Sequence, residues 1–596
     1  MPPEEPNRNG SQNDGRGHND AHQRAQRQQA KRDAARAAIV TIYVTGIPGF
    51  AGALAANREY FVAAAVLTAG ILVLAVLWWL PGNWFFSFLR SAWAAFCRIG
   101  TFYRENWLVC TAAATAVVIV AGLVIWNLLP RRCGSLAENE GECIGIADGT
   151  KPDVFGARFE RVMRAIGAEN KLVTDGGSQK YATIAFMAPV TEKTLHDDRI
   201  LHELEGAATA QYRANRANSK GLPLGGAPQI RLVVANPGSG ERYWERVVEK
   251  IKRLRGGHDH LTAVTGMGFS QTETVQAVRA LSKEQIPVVG DIITADGFDM
   301  TGRIDSRGPI PGLFRMPFPV SRQFTEVAKT LRKNPAKNGR PLRALLVRDS
   351  SVESSQPDLY TKSLSDAFQR GVFGGYLKNS GTKINVFGNR NADEGDLEND
   401  FTTISNNVCG TDPPDLVFYA GRAMYMVKFL NLLVKRNCSG PVTVVTGSDA
   451  SVLYLNPPVR DALLHPDPQQ GRSPTSVVFV PLVHQASLHP PQGKAQPANL
   501  RSFISDFTDR GFPAADVDDG WAVMAHDAMF TATRCTRMAA GNRDKPPAPD
   551  AVVRQCRGVT SSNNSIPGAT GFFQLDSTTG DRVGGLPPVV DIIGPS

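Results

Sequence analysis

The stretch Ala263–Gly297, AVTGMGFSQTETVQAVRALSKEQIPVVGDIITADG, has the pattern of one complete strand–helix–strand unit. Ala263–Gly266 is a short apolar run that ends in glycine, and Thr272–Leu281 carries apolar residues at helical spacing. A second apolar run, Ile286–Val289, follows the helix. Two parallel strands joined by a helix require a right-handed crossover and a sheet covered on both faces. The stretch therefore predicts an α/β fold.

Hydroxyl side chains follow both strands of this unit. Ser270 comes after the first strand and Thr294 after the second. Ligands of open α/β sheets bind beyond the carboxyl ends of the strands, and a helix amino terminus, such as the one near Ser270, favours an anionic group. The sequence therefore predicts a ligand site at these two strand ends. The alternative is that both hydroxyls only cap helices and turns.

The alternation of strands and helices continues on both sides of this unit. Further strands are predicted at Thr183–Pro189, Gln229–Ala235, Ala344–Arg348, Ile384–Phe387, Asp415–Gly421, Val442–Thr446, Val477–Val483 and Pro588–Ile593. Further helices are predicted at Phe155–Ala168, Leu201–Asn215, Tyr243–Leu254, Leu359–Phe368 and Tyr425–Leu433. Such alternation is typical of parallel sheets covered by helices.

This order of elements resembles the type I periplasmic binding protein fold, the family of branched-chain amino-acid binding proteins and related receptor ligand-binding regions. The resemblance runs from about Thr183 to the end of the chain. It rests on the turn at Ser270, the Ile286-Pro287 pair, Thr294, and the hairpin-like Gly568–Gly580. It implies an α/β, two-lobed fold with parallel sheets over residues 181–596. The lobe boundaries it implies are about 181–312 and 448–570 for the first lobe, and about 313–447 and 571–596 for the second.

The resemblance also implies a ligand site between the lobes. Matched by position, the first-lobe residues are Ser270, Ile292, Ile293 and Thr294, with Ser270 facing a carboxylate and Thr294 an amine. In the second lobe, Arg422 stands where the family often has an aromatic residue, and Asp449 where an acidic residue often meets the ligand amine. Arginine can pair bidentately with a carboxylate or phosphate, and the alternative is a solvated surface residue. The family often has another aromatic residue after the strand ending at Asp349, whereas Ser350–Gln356 contains none.

The amino-terminal part of the chain has a different composition. Residues 1–37 are rich in Gln, Asn, Gly, Arg and Asp and are predicted to form a disordered tail. Three apolar stretches follow within 38–130, at Ala38–Ala56, Tyr60–Leu80 and Trp107–Leu129. Each has about the 20 residues that a helix needs to span a bilayer. We therefore expect a three-span transmembrane anchor before the two-lobed domain, and a linker or pre-domain segment at 131–180; the alternative is buried helices of a soluble domain.

The orientation of the anchor follows from its basic residues. The chain of 596 residues has a net charge of +9, and seven of its 65 lysines and arginines lie in the tail. The loop between the second and third spans carries Arg90, Arg98 and Arg104, whereas Asn57–Glu59 carries only Arg58. Basic loops stay on the cytoplasmic side, so we expect a cytoplasmic amino terminus and an extracytoplasmic carboxyl-terminal domain. If the first stretch does not insert, the orientation is inverted.

Six cysteines follow the predicted anchor: Cys133, Cys143, Cys409, Cys438, Cys535 and Cys556. An even number of cysteines in an exported domain indicates disulfides, and six allow fifteen pairings. Pairing sequence neighbours gives the simplest set, Cys133–Cys143, Cys409–Cys438 and Cys535–Cys556. The alternative is free buried thiols.

No stretch has the spacing of a catalytic, cofactor or zinc motif. Gly238-Ser239-Gly240 lacks the flanks of a nucleophile elbow, and Gly266-Met267-Gly268 lacks the further glycine of a dinucleotide fingerprint. No basic helix with interleaved aromatic residues suggests a nucleic-acid surface. We therefore expect neither an enzyme nor a cofactor.

The sequence favours a membrane-tethered extracytoplasmic solute-binding protein that binds a small polar, amino-acid-like ligand for uptake or sensing. The partner of such a protein would be an ABC permease or a signalling protein. The alternative is a ligand-free structural or interaction module that uses the same lobes to contact a membrane or envelope partner.

Overall fold

The computed structural model describes residues 133–175, 181–192, 198–216, 226–332, 343–374, 383–388, 394–467, 469, 471–541 and 545–595. The predicted disordered tail (1–37) and three-span anchor (38–130) lie outside these residues. Among the helices that are described, none has the length and apolar character needed to cross a bilayer.

The chain from residue 133 to 315 contains seven strands in its described part. They are β1 (Ala137–Asn139), β2 (Glu142–Ala147), β3 (Tyr181–Met187), β4 (Gln229–Asn236), β5 (Leu261–Gly266), β6 (Val288–Gly290) and β7 (Leu313–Arg315). The helices between them are α1 (Glu160–Asp175), α2 (Arg199–Ala214), α3 (Trp244–Arg253) and α4 (Thr272–Lys283). The strands form one sheet in the order β1-β2-β4-β3-β5-β6-β7, in which all pairs from β4 to β7 are parallel.

The next part of the chain forms a second sheet. Its helices are α5 (Val320–Arg332), α6 (Leu359–Gln369), α7 (Glu394–Val408), α8 (Ala423–Leu433) and α9 (Pro457–Leu464). Its strands are β8 (Ala344–Asp349), β9 (Lys383–Phe387), β10 (Leu416–Ala420), β11 (Val442–Val445) and β12 (Thr475–Phe479). Neighbouring strands among these five pair in parallel.

The last part of the chain forms a small third sheet and adds one strand to the second sheet. Its elements are α10 (Gln485–Leu488), α11 (Ala498–Asp509), α12 (Trp521–Ala540), α13 (Pro549–Arg557), β13 (Ile566–Gly568), β14 (Gly571–Leu575), β15 (Arg582–Gly584) and β16 (Asp591–Ile593). Strands β13, β14 and β15 form a small antiparallel sheet, and β16 pairs antiparallel with β12 at one edge of the second sheet. We call the β1–β7 sheet with its helices the first lobe, and the β8–β12 sheet with β16 the second lobe.

The crossover unit has the predicted form. β5, α4 and β6 follow one another, and β5 pairs parallel with β6. The central strands are buried on both faces because α2 and α12 lie on one side and α3 and α4 on the other. Gly206 of α2 permits a close helix–helix approach, since a Cβ at this position would lie 2.0 Å from the carbonyl oxygen of Ala522 in α12.

The expected boundaries between the lobes differ from the observed ones. Gly447–Asp449 was expected to return the chain to the first lobe, but β12 pairs parallel with β11 and keeps residues 448–479 in the second lobe. The crossing falls after β12: Val480 packs in the second-lobe core and Val483 in the first-lobe core. A single apolar run, Val477–Val483, covers both sides of the crossing, so its pattern could not show where the lobes divide. The third crossing lies between β15 and β16, and not at residue 571.

The segment expected as a linker, 131–180, is part of the first lobe where it is described. β2 pairs antiparallel with β4, and Phe159, Val162 and Met163 are buried in the first-lobe core. The Asn170 side chain binds the backbone of Leu232 in both directions, donating to its carbonyl at 2.7 Å and accepting from its N–H at 2.9 Å. The lobe therefore begins with this segment.

Three disulfides join the sequence-neighbour pairs of cysteines. The pairs are Cys133–Cys143, Cys409–Cys438 and Cys535–Cys556. Cys535 and Cys556 tie α12 to α13 inside the first lobe, and both are buried. Cys409 and Cys438 tie the end of α7 to the segment after α8 in the second lobe. Disulfides of this kind are typical of oxidising compartments.

Candidate functional site

The two strand ends predicted from the crossover unit lie next to each other. The Ser270 hydroxyl oxygen accepts hydrogen bonds from the backbone N–H groups of Thr294 at 3.2 Å and Ala295 at 3.3 Å. Ser270 and Thr294 are both buried, as are Ile292 and Ile293. The Ser270 side chain therefore joins two loops of the first lobe.

The second lobe covers these strand ends. The backbone N–H of Leu359, the first residue of α6, donates to the carbonyl oxygen of Ser270 at 3.1 Å. The N–H of Asp296 donates to the Ser363 hydroxyl at 3.0 Å. The lobes are thus in direct contact at the positions where the family resemblance placed the ligand carboxylate and amine.

Arg422 occupies the contact between the lobes. It precedes α8, and its guanidinium lies 5.4 Å from the ring centre of Phe269 in the first lobe and 4.8 Å from that of Tyr360 in the second. Its Nε donates to Asp358 at 2.7 Å, and its Nη1 lies 3.8 Å from Asp449. Burial alone would lower the pKa of Arg422, but the two carboxylates raise it above its ordinary value. The guanidinium is therefore charged and held by the protein's own acids.

Asp449 of the second lobe lies between Arg422 and a first-lobe arginine, Arg199. Its carboxylate accepts from the backbone N–H of Ala423 at 3.2 Å and lies 4.0 Å from the guanidinium of Arg199. Arg199 is buried at the start of α2, with its guanidinium 5.0 Å from the Trp521 ring centre. Arg199, Asp449 and Arg422 therefore connect the two lobes electrostatically.

A cavity of about 770 Å³ opens beside these three charged residues. We call it the interlobe cavity. Its first-lobe walls are Glu192, Arg199, Phe269 and Gln271, and its second-lobe walls include Asp349, Ser350, Ser351, Glu353, Ser354, Gln356, Asp358, Phe387, Gly388, Leu397, Arg422, Met424, Tyr425 and Asp449. Of the six predicted site residues, Arg422 and Asp449 line the cavity, whereas Ser270, Ile292, Ile293 and Thr294 lie behind its wall.

Sequence reasoning missed the second-lobe residues that give the cavity its character. Asp349 ends β8, and Phe387 ends the neighbouring strand β9, so the sheet register places them side by side. Tyr425 comes from the first turn of α8, and its ring centre lies 5.9 Å from that of Phe387. The aromatic residue that Ser350–Gln356 lacks is therefore supplied by two other elements. Their positions in the sequence could have identified them, because each of these residues ends or follows a predicted strand, and ligands of parallel sheets bind at the carboxyl ends of the strands.

A pair of buried acids lies beneath the first-lobe strand ends. Glu203 of α2 and Asp291 after β6 are both fully buried, and their carboxyl oxygens accept no hydrogen bond of ordinary geometry in the described residues. Burial, and then the charge of Asp291, raise the pKa of Glu203 well above its ordinary value. Burial also raises the pKa of Asp291 to about 7. The two carboxyl groups can share a hydrogen bond when one carries a proton, and the backbone N–H groups of Asp291 and Ile292 act to lower the pKa of Asp291.

The loop His258–His260 contains a polar cluster whose acid has a partner within the first lobe. Asp259, which stands between His258 and His260, pairs with Arg231 at 2.9 Å. Among the residues that the structure describes, no group of three His, Cys, Asp or Glu side chains could hold a metal ion.

Comparisons with known proteins give structural similarity only. No family model and no curated protein matches this chain. An ABC transporter substrate-binding protein from Desulfitobacterium hafniense in complex with Leu is similar at 15% identity, covering 69% of this chain and 96% of that one, with a TM-score of 0.46. A leucine-binding protein from Thermotoga maritima is similar at 16% identity, 69% and 94% coverage and a TM-score of 0.47. A solute-binding protein of Rhodopseudomonas palustris in complex with 4-hydroxybenzoate is similar at 13% identity, 69% and 92% coverage and a TM-score of 0.46. These similarities do not identify a ligand for this chain.

Proposed function

We propose that this chain is a membrane-tethered extracytoplasmic solute-binding protein that binds a small polar, amino-acid-like ligand between its two lobes, for uptake or sensing. The observation that carries the proposal is the interlobe cavity, which lies at the carboxyl ends of parallel strands from both sheets. Its volume suits a small molecule, and such clefts typically combine aromatic walls with a few placed charges. Arg422 and Asp449 are the predicted residues that would contact the ligand.

Two further observations support the location. The three disulfides suit an extracytoplasmic domain. The arginine-rich tail suits a cytoplasmic amino terminus and three transmembrane spans before the domain. A reporter that is active only outside the cytoplasm should work when fused after Ser596 and fail when fused before Met1. The reverse pattern would contradict this orientation.

The alternative, a ligand-free module that contacts a membrane or envelope partner, is favoured by one specific observation. The strand ends of the first lobe are already occupied, because Leu359 and Arg422 of the second lobe bind the Ser270 carbonyl oxygen. In such a module the lobes would be held together by these contacts without a solute.

A thermal-shift screen separates the two functions. The full chain in detergent is heated in the presence of amino acids, amines, small acids and sugars, one at a time. A ligand at one hundred times its dissociation constant adds about 2.7 kcal/mol of stability, which is a clear upward shift of the melting temperature. A shift with at least one solute class supports solute binding, whereas no shift with any class at millimolar concentration supports the ligand-free module.

A further inference from the structure

The charges that line the interlobe cavity do not balance. Five acidic residues and two arginines contribute to its wall. Both arginines are already engaged: Arg422 with Asp358 and Asp449, and Arg199 beside Asp449. Glu353, at the rim, pairs with Arg348 at 2.5 Å and is largely exposed. The interior of the cavity is therefore acidic.

Asp349 is an acid of this wall that forms no salt bridge in the described residues. Its carboxylate accepts one hydrogen bond, from the backbone N–H of Ser351 at 2.8 Å. The charge that acts on Asp349 to lower its pKa comes from Arg422, which is paired with Asp358. Burial raises the pKa of Asp349, and the nearby Asp358 carboxylate adds to the effect. The Ser351 hydroxyl is buried and has no hydrogen-bond partner. Asp349 and Ser351 both contribute to the cavity wall.

Two aromatic rings stand beside this carboxylate. Phe387 ends the strand adjacent to Asp349, stacks on Tyr419 with ring centres 5.7 Å apart, and meets the edge of Tyr425. Burial, and then the negative charges of Asp349 and Asp358, raise the pKa of Tyr425, which shows that its hydroxyl shares their field. An aromatic face next to a carboxylate is the arrangement that attracts organic cations.

We propose that the ligand carries an ammonium group that pairs with Asp349, with its carbon chain lying against Phe387 and Tyr425. This inference rests on the proposed solute-binding function and names its ligand class as an aliphatic amine. A carboxylate ligand fits less well, because each arginine it could reach is already next to an aspartate of the protein. A cation, in contrast, would form with Asp349 the salt bridge that no side chain of the described residues forms with it.

A series of four-carbon compounds tests the ligand class on the unmodified full chain. The probes are 1,4-diaminobutane, γ-aminobutyrate, 1,4-butanediol and succinate, which have the same chain length and differ in charge. Titration calorimetry in detergent should show the tightest binding for 1,4-diaminobutane and weaker binding for γ-aminobutyrate. The diol and succinate should bind at least ten-fold more weakly than the diamine. Tighter binding of succinate or of the diol would overturn the inference.

Variants then test which residues bind the ammonium group. Asp349→Asn keeps the acceptor for the Ser351 N–H and removes the charge, so diamine affinity should fall at least ten-fold. Tyr425→Leu keeps apolar volume and removes the aromatic face, and a several-fold loss is expected. The control Asp461→Asn removes an exposed aspartate of the second lobe outside the cavity and should leave affinity unchanged.

Two failures remain distinguishable. Unchanged diamine affinity in Asp349→Asn, with Tyr425→Leu also unchanged, would overturn the inference while leaving solute binding intact. If none of the four probes binds but another solute class stabilises the chain in the thermal screen, the inference fails and the proposed function stands. If no solute class stabilises the chain, both the inference and the proposed solute-binding function are wrong.

Discussion

The carboxyl-terminal strand ends of the two lobes face each other, yet they are built differently. In the first lobe, the Ser270 hydroxyl is used by Thr294 and Ala295, and the acids beneath it, Glu203 and Asp291, are sealed from solvent. In the second lobe, Asp349 and Tyr425 face an open cavity. The carboxyl ends of the strands in the two sheets thus differ in their surroundings. The first-lobe edge is internally hydrogen-bonded, and the second-lobe edge places an acid and an aromatic residue at the cavity wall.

The largest effect is expected where the two edges meet. Arg422→Ala removes the cation that lies between Asp358 and Asp449, and it leaves two partly buried carboxylates without their partner. Breaking a buried ion pair typically costs about 3–5 kcal/mol. Chemical denaturation of the full chain should show a loss of this size. Arg370→Ala, at an exposed pair with Asp366 on the same lobe, is the control and should cost about 1 kcal/mol or less. Equal losses in both variants would show that the ion pairs of Arg422 stabilise the fold no more than an exposed pair does.

The internally hydrogen-bonded edge of the first lobe is tested by Ser270→Ala. The change leaves the buried N–H groups of Thr294 and Ala295 without their acceptor, and an unsatisfied buried donor costs about 1–3 kcal/mol. The same denaturation measurement applies. Ser282→Ala is the control. It removes a single, exposed hydrogen bond to the carbonyl oxygen of Pro311 and should destabilise the fold less than Ser270→Ala does. A wild-type stability for Ser270→Ala would mean that the hydroxyl is free for a ligand after all.

The buried acids make the stability of the first lobe depend on pH. Burial raises the pKa of Asp291 from 3.8 to about 7 and that of Glu241 from 4.5 to about 8. Because these folded-state values lie above the unfolded ones, the folded chain holds protons that the unfolded chain has released, and stability falls as the pH rises from about 4 to 8. Glu203→Gln removes one member of the pair and lets the other accept from an amide.

We therefore expect Glu203→Gln to lose less stability between pH 5 and pH 8 than the wild type does, by roughly 1–3 kcal/mol, since each pKa unit corresponds to about 1.4 kcal/mol. Denaturation curves at the two pH values measure this difference. Glu284→Gln, an exposed change on the same lobe, should keep the wild-type pH dependence. If Glu203→Gln lost as much stability between pH 5 and pH 8 as the wild type, the proposal that Glu203 and Asp291 share a proton would be wrong.

Local patterns predicted most of the fold. β5, α4 and β6 fall within two residues of the apolar runs that predicted them, because burial on both faces leaves a continuous apolar signal. The polar helix α7 was missed, since Glu394–Val408 carries few apolar residues. The division between the lobes was misplaced because Val477–Val483 serves both cores.

The candidate site was less predictable for a physical reason. Ser270 and Thr294 are eligible ligand contacts by residue type, but a hydroxyl that binds backbone N–H groups cannot be told from a free one in a sequence. Phe387 and Tyr425 lie 38 residues apart and meet only through the order of strands in the second sheet. The two rings come together only because distant strands pair in the sheet, and composition and local spacing cannot predict that pairing.

One measurement tests the contrast between the two strand edges most directly. The tightest solute from the thermal screen is titrated into the full-length wild type, Asp349→Asn and Ser270→Ala, at a temperature where circular dichroism shows all three folded. The account predicts at least a ten-fold weaker affinity for Asp349→Asn and less than a three-fold change for Ser270→Ala. The opposite ranking, with Ser270→Ala losing affinity and Asp349→Asn unaffected, would place the ligand on the first lobe and contradict the account.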